Sequence, residues 1–355
     1  MITGNKGEWS EIYAFLRLLS TGKLFAADEQ LNRIENMFFP IMKIIREEVK
    51  GYKYEYHTGE TIRIYLGKTL ALEMPVRVFK EEADYIYNAV EQSKAGKGAF
   101  SVEKTEAFMR KIFVGKIAAP SKDKTDINVQ LRDVNTGYEQ IVGFSIKSEL
   151  GSPPTLLNAG DTTNFVYKVE GMDARFIDEI NAIDTKTKII DRIETIRKRG
   201  GEISFFKMKN DTFNNNLIMI DSQMPGIVAD MLIGYYLHNV NDCIGLLNYV
   251  NDTSSMNLPK RFYAHKIKEF LCAVALGMKP ATKWEGTYEA TGGYIVVKTD
   301  GEVLAYHIHN RDSFMNYLLK NTRFDRGGTQ KHNFAKLYQV GDEIFINFNL
   351  QIRFI

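Results

Sequence analysis

Two adjacent runs of strict period-two alternation, joined by a turn, constrain this chain more than any other feature. In residues 126–131, Ile127, Val129 and Leu131 alternate with Asp126, Asn128 and Gln130. In residues 141–147, Val142, Phe144 and Ile146 alternate with Gly143, Ser145 and Lys147. Successive side chains of a strand point to opposite faces, so each run is a strand with one apolar and one polar face. Asn135-Thr136-Gly137 between them is a turn signal. A hairpin centred near Thr136 sets Asp126 opposite Ile146, within a residue or so, with Ser145 and Lys147 as diagonal neighbours.

An aspartate beside a lysine on a sheet surface has two readings. One is a cross-strand ion pair worth a few tenths of a kcal/mol. The other is a hydrolytic site. The loop after the second strand, residues 148–160, is rich in small and polar groups and suits a phosphate at the strand end. Phosphodiester hydrolysis needs a divalent cation to activate water and steady the phosphate charge. Magnesium takes oxygen ligands, usually one or two carboxylates with several waters. A lysine nearby orients the attacking water or offsets developing negative charge.

The first helix offers further carboxylates. Ile12, Phe15, Leu16 and Leu19 fall on one face, and Gly22 is the expected stop. Glu8 lies four before Ile12 and Glu11 four before Phe15, so both extend the apolar stripe. Carboxylates in a first turn also favour the positive helix end, and that alone accounts for Glu8 as well as a site role does. Glu11 is the stronger candidate, because a carboxylate at the buried edge of a helix is costly unless paired or metal-bound.

The rest of the chain reads as a mixture of both element types. Strands are expected near residues 40–45, 52–56, 61–66, 164–169, 294–298, 303–308 and 344–354. Helical spacing runs through 78–93 and 101–113, with Pro120 closing that section. One long amphipathic helix is expected over 173–199, stopped by Gly200-Gly201, and residues 223–276 read as helix-rich. Gly200-Gly201 is the best boundary candidate, dividing 1–200 from 201–355.

Among 355 residues, 44% are hydrophobic and 25% charged, an ordinary globular composition. No apolar run approaches the roughly 20 residues of a bilayer span, and the first residues lack a signal-peptide pattern. With Cys243 and Cys272 alone there is no disulfide scaffold, so a reducing cytoplasm is the expected setting. The net charge of +2 means that a nucleic-acid binder of this kind must concentrate its cations locally. Two segments do so. Residues 186–209 hold eight cations with acids interspersed, and a solvated helix face explains them nearly as well. Lys260, Arg261, Lys266 and Lys268 belong to the second and are candidate phosphate contacts. Asn310, Arg311 and Arg323, with Arg326 and Gln330, lie in a polar region suited to reading base edges. His307 and His309 are expected on one strand face, but no third ligand stands at zinc spacing.

Several stretches together resemble a known family. Asn5-Lys6-Gly7-Glu8-Trp9-Ser10-Glu11, with its Gly-x-x-x-Glu spacing, resembles the N-terminal helix of many restriction enzymes. Asp126 followed by Ser145-Ile146-Lys147 resembles the PD-(D/E)XK catalytic core. Gly143-Phe144-Ser145-Ile146-Lys147-Ser148, Thr155-Leu156-Leu157-Asn158-Ala159 and Thr163-Asn164-Phe165 are similar to the HpaII-type restriction endonuclease family. So are Gly292-Gly293-Tyr294-Ile295-Val296-Val297, Tyr306-His307, Asn310-Arg311 and Asn349-Leu350-Gln351-Ile352-Arg353-Phe354.

The resemblance implies an α/β fold: a PD-(D/E)XK core of mixed β-sheet flanked by helices, with a helix-rich DNA-recognition elaboration. Residues 1–200 would hold the nuclease core and 201–355 the recognition region. It further implies Mg²⁺-dependent cleavage of double-stranded DNA at a short palindrome, CCGG for the namesake type. A homodimer would match that symmetry, and a cognate DNA methyltransferase would belong to the same system without a stable complex. Asp126 becomes the central metal ligand, Lys147 the catalytic lysine, and Glu11, then Glu8, the helix-borne acid. Two departures stand out. Thr125 replaces the proline of the pattern, and Ser145 replaces its second acid, so another carboxylate must serve, with Glu149 and Glu179 as further choices. Competing readings are an inert DNA-binding protein on the same fold and a metal nuclease of another role.

Overall fold

The computed structural model describes residues 1–49, 51–96, 98–118, 124–332 and 334–355. The expected stop at Pro120 lies outside them. Along the chain the elements begin α1 (Lys6–Thr21), β1 (Lys23–Ala27), β2 (Arg33–Val49), β3 (Tyr52–His57), β4 (Thr61–Leu66), β5 (Thr69–Pro75), α2 (Val76–Gln92), α3 (Glu103–Lys111), β6 (Ile127–Arg132) and β7 (Glu139–Ser148). They continue β8 (Thr155–Leu157), β9 (Asn164–Glu170), α4 (Ile177–Asn181), α5 (Lys188–Lys198), β10 (Glu202–Met208), α6 (Asp211–Ile220), α7 (Met224–His238), α8 (Cys243–Thr253) and α9 (Lys260–Leu276). The last are β11 (Gly293–Val297), β12 (Val303–His307), α10 (Arg311–Asn321), β13 (Thr322–Asp325), β14 (Leu337–Val340), β15 (Glu343–Asn349) and β16 (Gln351–Phe354). No single helix among the described residues is long and apolar enough to cross a membrane.

The chain forms two compact units, 1–154 with 288–317 and 155–287 with 318–355. Gly200-Gly201 lies inside the second, in the turn between α5 and β10.

In the first unit nine strands make one mixed sheet, in the order β1-β12-β11-β7-β6-β2-β3-β4-β5. β1 runs parallel to β12 and β11 parallel to β7. β1 also pairs antiparallel with β2, so six strands close into a ring, from which β3, β4 and β5 extend as a ribbon. The mixed sheet was expected from sequence; its closure was not. The length of β2 makes closure possible. Its first half, through Pro40, pairs with β1, and its second half, from Ile41, pairs with β6 and β3.

Helix α1 packs against β1, β2, β7 and β12. Its start is fixed by a capping box. The Asn5 side chain accepts from the Glu8 N–H, and the Glu8 carboxylate accepts from the Asn5 N–H at 2.7 Å. Its end is the expected Gly22, with φ of 61°, a left-handed conformation that costs glycine little. Trp9, Ile12, Phe15, Leu16 and Leu19 are all buried there against Ile44, Val129, Phe144 and Ile295. Each such side chain stabilises the fold by roughly 1.5–3 kcal/mol, which anchors the helix that carries Glu8 and Glu11.

The second unit holds a sheet of order β10-β9-β15-β14 and a small one of order β13-β16-β8. The expected single strand over 344–354 is thus two strands in different sheets. Leu350 breaks it, its N–H bonding to the Thr163 carbonyl at 3.0 Å, and the Asn349 amide spans Gly160, Thr163 and Asn164. The expected helix over 173–199 is also broken, between α4 and α5. Arg192, 3% exposed, explains the break. Its guanidinium donates to the carbonyls of Asn181 and Ile183, which an unbroken helix would spend on residues four further along, and to that of Ala335. Helical periodicity survives across the gap, so the sequence could not reveal it.

Candidate active site

The two alternating runs form an antiparallel hairpin, β6 with β7, in the register Ile127 to Phe144. Asp126 precedes the first paired rung, within a residue of the place that a turn centred on Thr136 suggests. Its N–H bonds to the Phe144 carbonyl at 2.8 Å. Asp133 closes the turn, its carboxylate accepting from the N–H groups of Asn135 and Thr136, both at 2.8 Å.

Asp126 is held through one oxygen. Oδ2 accepts from the Ile146 N–H at 2.6 Å and from the Ser145 hydroxyl at 3.1 Å. No described residue hydrogen-bonds to Oδ1. Burial raises the carboxyl above the usual aspartate range, while Lys147, the Ile146 N–H and the Ser145 hydroxyl pull it back down. Asp126 and Lys147 form no direct ion pair, so the ordinary cross-strand pair is not what the hairpin builds; the lysine acts through space. The Lys147 ammonium lies 5.7 Å from the Tyr294 ring centroid. Tyr294 is fully buried on β11, opposite Ser145. That neighbour was missed from sequence, because only the parallel pairing of β11 with β7 brings it there.

Glycine and threonine at the strand ends also have a structural task. A Cβ on Gly143 would lie 2.6 Å from the Thr125 methyl, so only glycine lets Thr125 sit there. Thr125, in the place of the pattern's proline, donates its hydroxyl to the Glu289 carbonyl at 2.9 Å.

Lys147, Ile146, Glu8 and Glu11 line a cavity of about 370 Å³, closed on one side by Gly151 and Ser152 of the loop after β7. The Ser148 hydroxyl ties β7 to α1, donating to the Ser10 hydroxyl at 2.8 Å. Asp126 is not itself in the lining but accepts from the Ile146 N–H of that wall. The fold therefore gathers Asp126, Ser145, Lys147, Glu8 and Glu11 at one end of β7. Glu8 Oε2 is engaged in the helix cap, and Glu8 and Glu11 both face the cavity. Glu149 is exposed in the loop. Glu179 belongs to the second unit, where it pairs with Arg199 at 2.8 Å.

The donor set suits a hard divalent cation. The described residues contain no group of three or more His, Cys, Asp and Glu side chains that could hold a metal. Magnesium does not need one, since it keeps several waters and borrows substrate phosphate oxygens. One aspartate oxygen left open and one glutamate on the cavity wall fit that habit. A transition metal at His307 and His309 fits poorly. β12 ends at His307 and His309 sits in the 3₁₀ turn beyond it; their ring centroids lie 4.4 Å apart, but among the described residues no third ligand joins them. His307 stacks on Phe39 with ring centroids 4.6 Å apart, and burial pushes its imidazole down to about 4.

The candidate DNA contacts divide between the units. Asn310 and Arg311 are half-buried at the start of α10 in the first unit, where Arg311 donates to the Tyr288 hydroxyl at 3.2 Å. Lys260, Arg261, Lys266 and Lys268 lie on α9 in the second. Lys260 and Arg261 are exposed, whereas Lys266 is engaged by Asp221. Arg323 is half-buried on β13, paired in register with Arg353.

The model of a family described as HpaII restriction endonuclease matches residues 5–354. The type II restriction enzyme HpaII of Haemophilus parainfluenzae is 39% identical over 361 residues, covering 99% of each chain. No solved structure matches the chain.

Proposed function

The chain belongs to the HpaII restriction endonuclease family, and from that premise we propose that it is a type II restriction enzyme that hydrolyses double-stranded DNA at a short palindrome, CCGG in the first instance, with Mg²⁺ at the end of β7. The reading of the first unit as a variant PD-(D/E)XK core rests on one observation. Ser145, where that pattern carries an acid, donates its hydroxyl to Asp126 Oδ2. A serine is a poor magnesium ligand, but here it fixes the carboxylate that is one. Together with the Ile146 N–H it occupies one oxygen and leaves Oδ1 to a ligand.

On this reading Asp126 and Glu11 hold the cation. The cation, when bound, supplies Lewis-acid stabilisation of the phosphate and a nucleophilic water. The protein's own groups do the rest. Lys147, which pairs with no acid among the described residues, places its ammonium at the cavity to offset charge on the scissile phosphate and orient water. Buried Tyr294 limits where that ammonium can lie. The second unit, with α9 and Arg323, carries DNA recognition. A two-fold dimer would mirror the palindrome, and a methyltransferase of matching specificity would protect host DNA.

Plasmid digestion with and without Mg²⁺ tests this for wild type, Lys147→Ala and Glu11→Gln. Discrete bands from wild type alone, and only with the metal, are expected, and sequencing the ends gives the site. Cutting that survives Lys147→Ala removes the proposed site. A salt-sensitive gel shift without any cutting by wild type would make the chain a DNA-binding protein that has lost catalysis.

A further inference from the structure

The second unit contains a larger cavity, of about 750 Å³, that no part of the cleavage reading uses. We propose that it binds a nucleotide, a phosphate together with its planar base. Its size lies within the range of small-molecule sites, roughly 300–1,000 Å³. Its walls carry four cations, Lys188, Arg192, Lys209 and Lys336, against one carboxylate, Asp184. Two of the lysines are held only by exposed acids. Lys188 pairs with Asp184 at 2.7 Å and Lys209 with Asp161 at 2.6 Å, the two carboxylates being 76% and 60% exposed. Exposed pairs of this kind contribute little, so a phosphate replaces the carboxylates at small cost. Lys336 is exposed and makes no ion pair among the described residues.

The remaining lining suits a base. Gln330 and Thr329 offer amide and hydroxyl groups of the kind that read base edges, and Tyr338 offers a half-buried ring for stacking. The floor is buried. Arg192, Phe334 and Leu337 are 3%, 2% and 4% exposed. Arg192 is held by the carbonyls of Asn181, Ile183 and Ala335, while its Nε has no hydrogen-bond partner among the described residues. A base inside a stacked duplex does not reach such a floor, so a nucleotide taken from DNA must be turned out of the helix. A free mononucleotide has the same chemistry. The DNA-borne form rests on the restriction-enzyme reading; the chemistry of the cavity does not.

The test uses the full chain with two probes. The first is a CCGG duplex carrying pyrrolocytosine at each cytosine in turn, mixed with Lys147→Ala in Mg²⁺ so that the strand stays whole. The second is dCMP or dGMP titrated into wild type and followed by amide NMR shifts. A fluorescence rise at one position supports a nucleotide from DNA, and saturable shifts around Lys336 support a free one. In either case Lys336→Glu is expected to weaken the response by about tenfold or more, with rescue by Lys336→Arg and an unchanged thermal melt. Gln330→Ala is a second, milder probe of the same wall. Silence from both probes overturns the proposal, as does a response that neither Lys336→Glu nor Gln330→Ala alters. Wild-type digestion run in parallel separates the two failures: cutting with silent probes leaves the endonuclease and removes the nucleotide site, and the reverse result does the opposite.

Discussion

The two cavities hold cations to different ends. In the first unit two lysines, Lys6 and Lys147, stand with two carboxylates, Glu8 and Glu11, around about 370 Å³. In the second, four cations surround about 750 Å³ with a single carboxylate among them. The first arrangement balances its charges and offers a bare phosphate no net attraction, so a metal ion between carboxylates and phosphate would supply it. The second attracts phosphate directly. A strand end with mixed charges is therefore suited to chemistry on a bound phosphate, and a cationic hollow with an aromatic wall to holding one.

Substitutions can separate these roles. The largest expected effect is on Lys147. Lys147→Ala should lower the cleavage rate by about a thousandfold or more and leave nucleotide binding at Lys336 unchanged, while Lys336→Glu should do the converse at saturating DNA. Single-turnover cleavage beside a binding titration reads both, and joint loss in either variant would erase the distinction.

The next effect concerns stability of the first unit alone. Burial depresses His307 to about 4, below its unfolded value of about 6.5. The unfolded chain therefore takes up the proton first, and stability present above about pH 6.5 is lost as pH falls towards 4. The expected loss is about 2–3 kcal/mol between about pH 7 and about pH 4.5. Urea unfolding should show it in wild type and not in His307→Phe, with hydrogen exchange placing the early opening around β12. An equal slope in both proteins would remove His307 as the cause.

Ser145 gives a smaller effect on the chemistry. Its hydroxyl favours the charged form of Asp126 and opposes burial. Ser145→Ala should therefore move the acid limb of the cleavage rate to higher pH, with a loss of about tenfold or less at neutral pH. An unmoved limb would mean that the serine does not position the carboxylate. The smallest expected effect lies on α9. Lys260→Ala and Arg261→Ala should each reduce the salt dependence of DNA binding by about one unit of log–log slope. Lys266→Ala should leave the slope unchanged, because Asp221 already holds that lysine.

The local parts of the site were legible before the fold was known. The period of the two strands, the turn between them, the apolar stripe of α1 and its Gly22 stop all follow from neighbours within a few residues. The register fell within a residue of the expected one, the turn being centred between Asn135 and Thr136. The break between α4 and α5 was not legible, because it depends on where the Arg192 guanidinium ends, on carbonyls that include one 143 residues away. Nor was the split of 344–354 between two sheets, since both halves alternate with the same period.

The sequence alone determined that an aspartate and a lysine share the end of a hairpin and that two glutamates edge a buried helix, because period and spacing are properties of short segments. Tertiary structure decided which of these groups meet. It closed six strands into a ring through the two halves of β2, set Tyr294 near Lys147 by a parallel pairing, brought Glu8 and Glu11 to one cavity, and turned Ser145 onto Asp126. Those outcomes depend on contacts between residues far apart in the chain, made only once the surrounding core has been buried.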